Sequence, residues 1–130
     1  MLRKRINAIA VCLLMIGFSG CLVHRPSDCK ARGAAYVARK ERLERDARES
    51  LKAGTPKEEV LSFFEKNGIK PSFVATGNTG HFVKGTLHVI GCAPLGCGTN
   101  DAFIGLEVPL DAIDRVTGNP IVGGFYTNCL

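Results

Sequence analysis

The chain has 130 residues, enough for one domain and little more, and its 45% hydrophobic and 22% charged content is that of a globular protein. That composition excludes wholesale disorder. Its 17 Lys and Arg against 12 Asp and Glu give a net charge of +5, which would suit a nucleic-acid partner if every basic residue belonged to the working molecule.

The N-terminus argues that they do not. Met1-Leu2-Arg3-Lys4-Arg5 is a short basic segment, and an apolar run follows from Ile6 to Phe18. The run is too short for a comfortable bilayer span and has the layout of an export signal. It ends in Phe18-Ser19-Gly20-Cys21, small residues set before a cysteine. This resembles a bacterial lipobox, which implies removal of residues 1–20 and lipidation of Cys21; an ordinary cleaved signal is the alternative. Leu22 after the cysteine, where Asp would retain the protein in the inner membrane, implies sorting to the outer membrane. Removing Arg3, Lys4 and Arg5 leaves 14 basic against 12 acidic residues, a net +2, so a nucleic-acid partner is not expected. The expected location is the cell envelope, facing the periplasm, with the membrane reached through the N-terminal lipid.

Cysteine usage points to the same compartment. With Cys12 in the signal and Cys21 under lipid, Cys29, Cys92, Cys97 and Cys129 remain, an even set that an exported small domain uses for disulfides. Four cysteines allow three connectivities. The turn-like Ala93-Pro94-Leu95-Gly96 favours Cys92–Cys97, which leaves Cys29 for Cys129. A zinc site on Cys92, Cys97 and His88 or His81 competes with oxidation in that compartment, and no second Cys pair supports it.

Residues 21–33 read as a tether, with Pro26, Ser27, Asp28 and Gly33 as breakers, and residues 34–130 as a single domain. From about Ala34 to Ala53 the pattern is helical. Nine of the eleven residues from Arg39 to Glu49 are charged, with Glu41–Arg45 and Glu44–Arg48 at pairing distance along the helix. Its apolar stripe is narrow: Tyr36, Leu43, Ala47 and Leu51. Gly54 is placed to end it. Thr55-Pro56-Lys57-Glu58 then predicts a capping box with Thr55 at N-cap and Pro56 in the first turn. Val60, Leu61, Phe63 and Phe64 form the apolar face of this second helix, and Asn67-Gly68 stops it.

The remainder alternates as β. Expected strands are Ser72–Thr76, His81–Ile90 after a Gly77–Gly80 turn, Ala102–Leu110 and Ile121–Thr127. Pro109 marks a strand end or an edge. The predicted fold is α+β in the order α-α-β-β-β-β, two helices packed on a three- to four-stranded antiparallel sheet.

The lipobox, the charged tether, the Lys52-Ala53-Gly54-Thr55-Pro56-Lys57-Glu58-Glu59-Val60 segment and the following meander resemble the SmpA/OmlA lipoproteins. The resemblance covers residues 50–130 and implies a small outer-membrane lipoprotein that accompanies the β-barrel assembly machinery. The chain departs from that pattern in Asn67-Gly68-Ile69-Lys70-Pro71 after the helix, in its cysteine loop, and in its long charged first helix.

Chemistry-bearing groups are sparse. His81 and His88 lie seven residues apart in one strand, which places them on opposite faces, and neither sits beside a nucleophile in a known motif. Asp111 and Asp114 read as turn and cap residues rather than paired acids. Gly85, Gly91, Gly96 and Gly98 form no phosphate-binding fingerprint. The expectation is a protein without catalysis, metal or cofactor: a lipid-anchored binding or scaffold module with an envelope protein partner. An inhibitor or immunity lipoprotein that neutralises a periplasmic toxin or hydrolase is the alternative.

Overall fold

A computed structural model describes residues 26–76 and 80–129. Residues 1–25, including the expected signal and Cys21, and residues 77–79 of the expected hairpin turn lie outside the described residues.

The fold is α+β. Helix α1 runs Pro26–Ser50 and α2 runs Lys57–Lys66; strands β1 (Ser72–Thr76), β2 (Gly80–Ile90), β3 (Asp101–Asp111) and β4 (Ile121–Tyr126) follow. The strands form one antiparallel sheet in the order β1-β2-β3-β4. Local connections explain that order, since each antiparallel neighbour is reached without a crossover.

Helix α1 begins well before the expected position, so residues 26–33 are helix rather than tether. Pro26 opens the helix where a missing N–H costs nothing, and Asp28 sits in the first turn where a negative charge complements the helix dipole. These residues start a helix here rather than break one. At the other end α1 stops at Ser50, before Gly54. Gly54 takes its positive φ of 88° in a turn closed by Thr55 N–H donating to the Lys52 carbonyl at 3.0 Å.

The expected capping box does not form. Pro56 is the N-cap, in extended conformation, and no side chain caps the helix. The reason is that Thr55 and Pro56 are engaged elsewhere. Val116 N–H donates to the Thr55 carbonyl at 2.9 Å, Gly54 N–H donates to the Val116 carbonyl at 2.8 Å, and Pro56 bridges Arg115. The C-terminus of α2 closes as the sequence predicts. Gly68, at φ 70°, donates to the Glu65 carbonyl and Ile69 to the Phe64 carbonyl, both at 2.9 Å, the bonding pattern of a Schellman cap.

Strand β3 has strict alternation: Ala102, Ile104, Leu106, Val108 and Leu110 are buried, and every intervening residue is half-exposed. The buried set, Ala102 apart, shares one hydrophobic cluster with Leu43 and Ala47 of α1, Leu51 just after it, Val60 and Phe64 of α2, and Val83 of β2. Tyr36 packs against the same cluster, so the narrow stripe read in the charged helix is the part that is buried. Pro109 lies within β3 and is tolerated for a local reason. Strand β4 pairs only with Ala102–Glu107, and the Pro109 carbonyl accepts from Thr117 at 3.1 Å, so its missing N–H faces the same side, beyond the reach of β4.

Candidate functional site

Both disulfides form, but not in the expected pairing: the structure joins Cys29 to Cys92 and Cys97 to Cys129. The expected pairing assumed that the 92–97 loop closes on itself. Instead its two ends meet different elements. Because α1 starts at Pro26, Cys29 lies in its first turns beside Gly33, where an added Cβ would stand only 3.3 Å from the Cys92 Cβ. Gly96, at φ 98°, turns the chain so that Cys97 bridges Cys129, and Gly98 N–H donates to the Asn128 carbonyl at 2.9 Å. Cys92 and Cys97 are therefore held by partners 63 and 32 residues away in sequence.

The face of the sheet opposite the buried set carries the most distinctive surface. Register places His88 beside Phe103 and Phe103 beside Phe125. The His88 and Phe103 rings are 5.1 Å apart and tilted; those of Phe103 and Phe125 are 5.5 Å apart and stacked, each pair within the range of favourable aromatic contact. His88 Nε2 lies 2.7 Å from Asp101 Oδ1. That hydrogen bond, with a second from Thr99, holds the Asp101 carboxyl below the usual carboxylate range.

The next row across the strands is Thr86, Gly105 and Gly123. The row after it is Ser72, Lys84, Glu107 and Ile121, with Lys84 Nζ 3.0 Å from Glu107 Oε2. Between an aromatic ridge and an ion pair, a shallow trough of about 480 Å³ opens at Gly105, lined also by Thr86, Glu107, Phe125, Lys70 and Lys84. Neither glycine is required by the chain's own packing. A Cβ built on Gly105 or Gly123 meets nothing within 4 Å, and neither has a positive φ. Gly85, facing the other way, contrasts with them: its Cβ would stand 2.5 Å from Ile69 and 2.6 Å from the Lys70 carbonyl. Exposed apolar groups surround the trough, with Val74, Ile90, Ile121 and Phe125 each more than two-fifths exposed.

The histidines fall on opposite faces, as their spacing predicts. His81 lies on the same face of β2 as the buried Val83, and its Nε2 stands 2.9 Å from Asp114 Oδ1 without hydrogen-bond alignment. Lys57 Nζ reaches the other oxygen of Asp114 at 3.1 Å. Asp114, at φ 62°, thus sits between the start of α2 and the start of β2. Asp111 is the turn residue the sequence predicts: its Oδ1 accepts from the N–H groups of Ile113 and Arg115. Asp114 does more than cap a turn, and the Lys57–Asp114–His81 cluster was not visible in the sequence because its members lie far apart in the chain.

On α1, Arg48 donates to Glu44 at 2.6 Å as spaced, but Arg45 meets Asp46 at 3.9 Å instead of Glu41. Arg39 and Arg42 line a cleft of about 620 Å³ with Asp46, Lys66, Asn67 and Leu87. Among the described residues no group of three His, Cys, Asp or Glu is placed to hold a metal ion. No described helix is long and apolar enough to cross a membrane. The chain matches no protein-family model, no curated protein and no solved structure.

Proposed function

We propose that the chain is a lipid-anchored periplasmic binding or scaffold module, without catalytic activity, that acts as an accessory in cell-envelope or outer-membrane assembly. In this reading the two helices form a layer over one face of the sheet. The other face takes an extended segment of an envelope protein partner along the trough.

The observation that carries the proposal is the pair of cross-strand glycines, Gly105 and Gly123. A glycine inside a strand costs roughly 0.5–1 kcal/mol relative to alanine. Here neither chain geometry nor internal packing recovers that cost. Close approach of a foreign backbone is the remaining structural use of such a position. The aromatic ridge and the Lys84–Glu107 pair then supply apolar and polar contacts on either side. Two disulfides suit an exported domain of this size, and the lipobox-like Phe18-Ser19-Gly20-Cys21 supplies the anchor.

The test has two parts. Mass spectrometry of the protein purified from membranes should find a diacyl or triacyl modification on Cys21; an unmodified N-terminus there refutes the anchor. A photoreactive side chain at Thr86 should capture a discrete envelope protein in native membranes, while one at the exposed Glu41 on α1 should not. Replacing Gly105 with Phe should abolish the Thr86 adduct while the circular dichroism stays unchanged. Absence of any Thr86 adduct in native membranes refutes the docking face.

A further inference from the structure

We propose that β4 pairs with the β4 of a second copy of this chain, antiparallel about Gly123, joining two sheets into one. The sheet order ends at β4, which pairs with β3 alone. Thr127 N–H donates to the Asp101 carbonyl at 3.2 Å, which fixes the phase of the β3–β4 ladder. Two-residue alternation then turns the N–H and C=O groups of Ile121, Gly123 and Phe125 toward β3. Those of Val122, Gly124 and Tyr126 point outward, and among the described residues they meet no backbone partner on that side.

Tyr36 and the Lys40 stem of α1 lie over Gly124 on the core face of the sheet, and the strand itself lacks the sequence devices that normally block edge pairing. Ile121–Tyr126 contains no charged residue and no proline, and its register with β3 runs without a break. The opposite edge, β1, is shorter and has the Lys57 ammonium standing 5.0 Å over its Phe73 ring, a charge in the way of an incoming strand. Absence of charge matters more for a second copy than for any other occupant. A two-fold axis sets like beside like, so a charged strand would repel its own image.

The strand is also its own complement. Residues opposite each other across an antiparallel pair share a face, so a two-fold pairing must centre on a residue. Centred on Gly123, it sets Ile121 against Phe125 of the second copy, twice. These two side chains are 56% and 51% exposed in the single chain, and each covers the other. Val122 and Gly124 of the second copy exchange both their outward hydrogen bonds, and Tyr126 N–H reaches the Pro120 carbonyl of the second copy. Pro120 has no N–H to offer, so it ends the ladder there. Gly123 stands opposite its own image in a non-hydrogen-bonded pair, where Cα atoms come within about 4.5 Å. It carries no side chain to obstruct that approach.

The same geometry provides the test, on the full chain in nonionic detergent. Sedimentation equilibrium should show a monomer–dimer equilibrium below about 100 μM. Val122→Pro removes an N–H that faces away from β3, so it should keep the circular dichroism of the parent, with a Tm lowered only by the loss of the valine's contacts with the core, while weakening dimerisation at least about tenfold. Gly123→Cys should give a disulfide-linked dimer on a non-reducing gel, because the two substituted positions face each other. Ile121→Cys, which faces Phe125 of the second copy, should not. A monomer throughout that range overturns the proposal. So does a dimer that survives Val122→Pro, or one in which Gly123→Cys fails to cross-link.

Discussion

Replacing Cys29 and Cys92 together by Ser isolates the contribution of one covalent link without leaving an unpaired thiol. The bridge closes a loop with a sequence separation of 63, and Cys97–Cys129 one of 32. On the chain-entropy account, loops of these lengths are worth about 4.3 and about 3.7 kcal/mol of stability at 25 °C. The loops do not overlap in sequence, so their contributions should be close to additive. An unfolding entropy near 0.2 kcal/mol per kelvin for roughly a hundred residues converts the first figure into a Tm drop of about 20 °C. Urea unfolding followed by circular dichroism measures the free energy, and non-reducing peptide mapping of the parent measures the pairing directly. The Cys97→Ser/Cys129→Ser variant should lose slightly less than Cys29→Ser/Cys92→Ser. A map that shows Cys92 joined to Cys97 would refute the reasoning at its root. A loss below about 1 kcal/mol for the Cys29–Cys92 pair would refute the loop-entropy magnitude.

Other outcomes follow from the packing and the titrating groups. Gly85→Ala should destabilise by about 1–3 kcal/mol in urea unfolding, because its methyl meets Ile69 and the Lys70 carbonyl, whereas Gly105→Ala should be neutral or stabilise slightly. Phe64→Ala empties a fully buried site at the capped end of α2 and should cost about 3–5 kcal/mol. The Asp101 carboxyl is held low by His88 and then Thr99, so its stabilisation is present above the unfolded carboxylate pKa and fades as pH falls through the folded value. Acid unfolding curves of Asp101→Asn should therefore differ from the parent at neutral pH and converge with it in strong acid. The Tyr36 hydroxyl is raised above 10.0, by burial first and Tyr126 second. Its stabilisation is thus intact below pH 10 and is lost as pH rises through the folded value, a midpoint that ultraviolet difference titration against Tyr36→Phe should locate.

The strands were legible because β3 alternates without exception, and a strand buried on one face leaves that period in its sequence. The stop of α2 was legible because only a residue free to adopt positive φ completes that cap, and Gly68 is one. The starts of both helices differ from the sequence expectation, each for its own reason. At α1 a proline and an aspartate that can end a helix also suit its first turn, and before α2 the backbone of Thr55 and Pro56 is taken by the distant Val116 and Arg115. The disulfide pairing was hidden likewise, since turn propensity between Cys92 and Cys97 says nothing about the neighbours of either. Phe103 and Phe125 carry no sequence signal that they stand in adjacent positions. Only the register brings Gly105 and Gly123 side by side, next to the trough that Gly105 lines.

The two disulfides also decide how the molecule bears load. Tension applied upstream of Pro26 does not unwind α1 turn by turn: at Cys29 it passes into Cys92, just beyond the end of β2. Tension applied at the C-terminus passes from Cys129 into Cys97, a few residues further on. Both pulls converge on the short segment between β2 and β3, the two longest strands and the centre of the sheet. A pull between the two ends of the chain is therefore carried by the first turn of α1, covalent bonds and that one loop, while the rest of the helices, the core and the open face of the sheet stay out of the line of force.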